Sequence, residues 1–200
     1  MHNVAKTMSS VSTRALYAIA AVGLLLVTMQ AVLLPGNANA AQITARKLTL
    51  SSSSPSAANA TTTYTFNFTV PSSTVLQSMQ AQICTTASGA CTTPTGFANA
   101  SSTLASQPTN LGDASGWTVS TATAGSLRIS KSGNAAAPTG AQTVVFGNVQ
   151  NPTTANQAFY ARISTFSDAS WTTPVDTGVV AASTATQIQL TGTMDESLVF

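Results

Sequence analysis

The sequence predicts an all-β chain folded as a two-sheet antiparallel sandwich behind an N-terminal apolar segment, and three observations carry that prediction. From Tyr64 to Val70 every second residue is large and apolar (Tyr64, Phe66, Phe68, Val70) and the residues between are Thr or Asn. That two-residue period belongs to a strand with one face in a core and one in water. Similar short apolar stretches recur down the chain, separated by Gly, Pro, Asn and Ser turns. No stretch after residue 40 shows helix-spaced apolar residues.

The chain opens differently. His2, Lys6 and Arg14 give a weakly basic start, Ala15 to Met29 is an apolar run broken only by Thr28, and Pro35 and Gly36 follow its extension to Leu34. Ala38 and Ala40 place small residues at the two positions a signal peptidase reads, so residues 1–40 read as a secretory signal helix cleaved between Ala40 and Ala41. The run is also as long as the ~20 residues that cross a bilayer, so an uncleaved anchor is the alternative and the chain's one route to a membrane. In both readings residues 41–200 form an exported β-sandwich domain.

Without Lys6 and Arg14 the formal charge of +2 disappears, leaving Arg46, Lys47, Arg128, Lys131 and Arg162 against Asp113, Asp168, Asp176, Asp195 and Glu196. A neutral chain with only these ten scattered charges has no electrostatic footprint for nucleic acid or an anionic membrane. Solubility falls to hydroxyls, since 52 of the 160 residues from Ala41 onward are Ser or Thr. Asn59, Asn67 and Asn99 head glycosylation sequons that matter only in a host able to use them.

Taken in order, Ile43 to Leu50 is a first strand and Ser51 to Ala60 a polar turn around Pro55. The strand ending at Pro71 follows; proline has no N–H to give a ladder. Val75 to Cys84 alternates through Met79, Ala81 and Ile83, which favours a strand over a short helix. Cys84 and Cys91, the only cysteines, are close in sequence with Gly89 between them. In an exported chain such a pair reads as a disulfide closing a loop at a strand end. An eight-residue loop gives roughly 2.5 kcal/mol by chain-entropy reasoning. Two thiols alone do not fill a tetrahedral metal shell, and the spacing is not that of a redox pair.

Cys91 to Gly116 reads as mostly irregular, with Phe97 and Leu104 as isolated anchors. Trp117 to Ser120, Ser126 to Ser130 (Leu127 and Ile129 inward), Thr143 to Val149, Ala158 to Phe166, Gly178 to Ala182 and Gln187 to Thr191 complete the strands, with a turn at Asn151 and Pro152. About nine short strands with frequent turns specify an immunoglobulin-like sandwich. Met194, Leu198 and Phe200 form an apolar end, read as a strand that continues in a longer chain. A terminal-phenylalanine signal of an outer-membrane barrel fits poorly, because the strands are too short and interrupted for lipid-facing spans.

The run Tyr64 to Val70, the Cys84 to Cys91 loop followed by Pro94, Thr95 and Gly96, the segment Val149, Gln150, Asn151, Pro152 leading to Phe159, Tyr160, Ala161, Arg162 and Ile163, and Asp176, Thr177, Gly178, Val179 together resemble uncharacterised exported β-rich surface proteins of small-genome candidate-phylum bacteria. The resemblance covers most of residues 42–200 and rests on structural motifs. It implies no activity, and it implies that the segment at Leu198 to Phe200 continues.

Residues 41–200 contain no histidine, which removes a Ser, His, Asp triad and any histidine-bearing metal site. No phosphate-binding glycine loop and no calcium loop is present. Asp168 and Asp176 are imaginable as glycosidase carboxylates but read as solvated turn residues, and Lys47 and Lys131 lack the setting for an isopeptide bond. Trp117 reads as core, whereas Trp171, in a loop, is a candidate glycan contact because an exposed indole face stacks on sugar rings. The expected function is a non-enzymatic structural or adhesive cell-surface domain needing no cofactor, with surface glycans or other envelope proteins as partners. A carbohydrate-binding module using Trp171 is the alternative, and a secreted hydrolase a distant third.

Overall fold

A computed structural model describes residues 40–55 and 62–186. The apolar leader (residues 1–39), the sequon at Asn59, the strand expected at Gln187 to Thr191 and the apolar end at Met194 to Phe200 lie outside the described residues. The described chain is all-β, with no helix among the described residues, and its ten strands are β1 (Ala41–Gln42), β2 (Thr44–Leu50), β3 (Tyr64–Thr69), β4 (Ser78–Cys84), β5 (Thr103–Thr109), β6 (Thr118–Ser120), β7 (Ser126–Ser130), β8 (Gln142–Gly147), β9 (Ala158–Phe166) and β10 (Pro174–Ser183).

They form two sheets, one of six strands in the order β1-β10-β9-β4-β7-β6 and one of four in the order β2-β3-β8-β5. Every pairing is antiparallel except β1 with β10. The alternation that announced β3 is realised: Tyr64, Phe66, Phe68 and Val70 are all buried, and Thr65, Asn67 and Thr69 between them are half-buried. Met79, Ala81 and Ile83 of β4, Leu127 and Ile129 of β7, and Phe159, Ala161 and Ile163 of β9 join them in one core. Trp117 packs in the core as expected, its indole N–H donating to the Asp113 carbonyl at 3.0 Å.

Two expectations differ from the structure. The first strand is split: Ala41 and Gln42 pair with β10, the Ile43 N–H still donates to the Thr177 carbonyl, and from Thr44 the chain pairs with β3 in the other sheet. Ile43, fully buried, is the pivot, so one apolar residue carries the chain across the core. The second difference is β5, which lies within the stretch read as irregular. It is an edge strand with only Pro108 buried and two register irregularities against β8, so no inward alternation of large residues marks it. Proline is tolerated there because an edge strand leaves one row of N–H groups unpaired.

The disulfide joins Cys84 at the end of β4 to Cys91. Of the sequon asparagines, Asn99 is buried with its side chain bonded to Thr123, Gly125 and Ser126, and the Asn67 amide donates to the Thr143 hydroxyl at 2.8 Å. Both are occupied by the fold.

Candidate binding face

The outward face of the six-stranded sheet carries Trp171, the candidate contact residue, together with Arg128, Arg162 and Gln80. In β7, Leu127 and Ile129 point to the core, so Arg128 between them points outward. Arg162 of β9, between buried Ala161 and Ile163, does the same, and so does Gln80 of β4. Register places Gln80 beside both Arg128 and Ser164, and Arg162 beside Gln82 and Val179.

Trp171 reaches this face from the loop between β9 and β10. The Asp168 carboxylate organises the loop by accepting from the backbone N–H groups of Ser170, Thr172 and Thr173, at 2.7 Å for the first. The Asp168 carbonyl in turn accepts from the Ser78 hydroxyl at 2.6 Å, which pins the loop to β4. Trp171 is thereby held at φ +58, a left-handed conformation that bulky residues rarely adopt. Its indole N–H donates to the Met79 carbonyl at 3.3 Å, and the Arg128 guanidinium lies 5.1 Å from the ring centroid. Arg128 is itself fixed by donating to Gln80 at 2.7 Å and to the Thr123 hydroxyl at 2.6 Å. Burial lowers its pKa from the ordinary arginine value, while the stacked ring favours the cation.

The indole offered as a candidate glycan contact is half-buried, with its N–H bonded and a guanidinium against its ring. Arg128 was not singled out by the sequence beyond its charge. The signal available was its place between two inward apolar residues.

Arg162 is tied to the disulfide loop. Its guanidinium donates to the Thr86 carbonyl at 3.2 and 2.9 Å, to the Thr86 hydroxyl at 3.0 Å and to the Gly89 carbonyl at 2.7 Å. Cys84 and Cys91 bracket those acceptors, so the disulfide loop and Arg162 hold each other in place.

The two carboxylates considered as a catalytic pair sit in different settings. Asp176 is buried on the core side with the Thr165 hydroxyl 3.4 Å from one oxygen, and burial pushes its carboxyl pKa up. For Asp168, partial desolvation pushes upward, but the N–H donors of Thr172, Thr173 and Ser170 outweigh it and bring the value down to about 2. Lys131, one of the two lysines weighed for an isopeptide bond, makes an ion pair with Asp113 at 2.8 Å, and Lys47 is exposed. Among the described residues no group of three or more His, Cys, Asp or Glu side chains comes together. Ala41, the expected first residue of the exported chain, opens β1.

The depressed Asp168 value sets a pH expectation. A carboxyl lowered on folding stabilises above its unfolded value and loses that contribution as pH falls through the folded one. The Trp171 indole N–H resonance is therefore expected to hold its position down to about pH 3 and to move below that with a midpoint near pH 2. A midpoint near 4 would show that the loop donors do not hold the carboxylate.

No protein family, curated protein or solved structure matches this chain.

Proposed function

We propose that the chain is an exported, non-enzymatic adhesive or structural domain of the cell surface that makes its contacts through the outward face of the six-stranded sheet. The observation that carries this reading is the Trp171 and Arg128 pair. An aromatic residue in a rare backbone conformation, tied down through three N–H groups to Asp168 and packed against an arginine, is already ordered before any partner arrives. Ordering beforehand is what lets an aromatic and an arginine act as contact anchors at low entropic cost.

An immunoglobulin-like type is supported by strand order. The β2-β3-β8-β5 sheet follows the A-B-E-D arrangement and β10-β9-β4 follows G-F-C, with β7 and β6 extending the second sheet. The Cys84–Cys91 disulfide supports an oxidising, exported setting.

Carbohydrate recognition is the second reading, favoured by an indole and a guanidinium presented together on a hydroxyl-rich face. The test is binding of the exported chain to producer-cell envelopes and to a glycan array. Trp171→Ala is expected to abolish binding and Thr172→Ala to retain it. Sugar hits lost in Trp171→Ala favour the carbohydrate module, whereas envelope binding without sugar hits favours a protein contact. Equal binding by wild type and Trp171→Ala would remove this face from the account.

A further inference from the structure

At the edge of the six-stranded sheet, beside β1 and β10, the fold makes room for an arginine it does not use. Pairing of β2 with β3 carries one extra residue, since Thr44 is opposite Thr69 but Lys47 is opposite Asn67, and Ala45 in between sits at φ +47. A bulge re-aims side chains, and a non-glycine residue held in the left-handed region is strain that the surroundings maintain. The side chain that follows is Arg46, whose stem crosses Gly178 of β10. A Cβ at residue 178 would stand 2.7 Å from Arg46 Cδ, 2.9 Å from Ile43 Cβ and 3.1 Å from Arg46 Nη1, so glycine leaves the space the arginine occupies.

Arg46 and Arg162 line one open groove of about 600 Å3, with Gln42, Ser164 and Thr177 supplying an amide and two hydroxyls. No carboxylate among the described residues lines it. The three acidic side chains of the described residues lie elsewhere: Asp113 pairs with Lys131, Asp168 organises its own loop, and Asp176 is buried with one oxygen beside the Thr165 hydroxyl and the other without a hydrogen-bond partner among the described residues. Arg46 has no hydrogen-bond or ion-pair partner among the described residues, and Arg162 is oriented by neutral oxygens that leave its charge uncompensated.

We propose that this groove binds the carboxylate or sulfate groups of an acidic polysaccharide. Arg46 can meet such an oxyanion through paired N–H donors, whereas Arg162, with Nε and Nη2 given to Thr86 and one Nη1 N–H to Gly89, contributes its charge and one remaining N–H. The hydroxyls of Ser164 and Thr177 and the Gln42 amide match the hydroxyls that flank an acidic group on a sugar chain. Ser164 is next to Gln80 in register, and Gln80 accepts from Arg128 beneath Trp171, so a polymer leaving the groove meets the Trp171 face. The inference rests on the adhesive reading and names its ligand class.

The experiment is biolayer interferometry with the exported chain against polygalacturonate, dextran sulfate, neutral dextran and poly-glutamate. Binding is expected to one or both acidic polysaccharides and not to neutral dextran; polygalacturonate identifies a carboxylate ligand and dextran sulfate a sulfate ester. Arg46→Gln is expected to weaken binding about tenfold or more, as for loss of a charge-assisted contact. Lys47→Gln removes the same charge from the neighbouring exposed residue and is expected to stay within about twofold. Equal weakening by the two variants would mean diffuse attraction and overturn the site. So would failure to bind either acidic polysaccharide, or equally tight Arg46-dependent binding of poly-glutamate, which would assign the groove to an acidic protein. Loss of envelope binding in Trp171→Ala but not in Arg46→Gln would leave the adhesive face standing and remove the groove.

Discussion

Phe66→Ala is expected to destabilise the domain by about 3 to 5 kcal/mol, the range for deleting a buried phenylalanine ring. Phe66 is fully buried at the middle of β3, and β3 is interior to its sheet, paired with β2 through Leu48 and with β8 through Val144. Its ring meets Phe146 edge-on, at 6.0 Å between centroids and 90° between planes, a geometry aromatic pairs favour. Strands on both sides fix the backbone, so the neighbours cannot close over the vacated volume and most of the cavity cost stays. Against the ~5 to 15 kcal/mol that holds a typical domain together, this is a large part of the total. Equilibrium denaturant unfolding measures it. A loss under about 1 kcal/mol would mean that the ring is not part of the core.

The same strand shows why much of this fold was legible. Burial in a sheet follows a two-residue period, so β3, β4, β7 and β9, which lie inside their sheets, announce themselves by alternation. β5 and the split at Ile43 did not. An edge strand packs few side chains inward, and a single residue passing from one sheet to the other leaves no periodic trace. The disulfide was legible because the pairing is local and the chain has only two cysteines. The candidate face was legible in part. Trp171 stood out as an aromatic residue in a polar loop, but its partner Arg128 lies on a strand far away in sequence, and only the sheet brings them together. Arg46 carried still less signal, because its setting depends on a bulge at Ala45 and on the missing side chain of Gly178, neither of which has a pattern of its own.

Asn151→Ala is expected to cost about 2 to 4 kcal/mol, the sum of one buried hydroxyl left without an acceptor and two weaker losses. In the sequence Asn151 reads as half of an Asn-Pro turn. In the structure it is fully buried, and its side chain joins three parts of the chain. The Tyr64 hydroxyl donates to its Oδ1 at 2.9 Å, and its Nδ2 donates to the Ser52 and Ser54 carbonyls at 2.8 and 2.9 Å. Tyr64 begins β3, stacks toward Phe159 and meets Phe97 at a tilt, and burial drives its hydroxyl pKa upward, so the phenol stays protonated and must find an acceptor inside. Tyr64→Phe removes the demand together with the donor and keeps the two Nδ2 bonds, so it is expected to cost less, about 1 to 2 kcal/mol. Because the two side chains share one bond, the double variant is expected to be less destabilised than the sum of the singles by at least about 0.5 kcal/mol. Thermal or denaturant unfolding of the four proteins measures this coupling. Strict additivity would mean that the Tyr64 hydroxyl is satisfied by another group or by water, and an Asn151→Ala cost under about 0.5 kcal/mol would mean that solvent reaches all three partners.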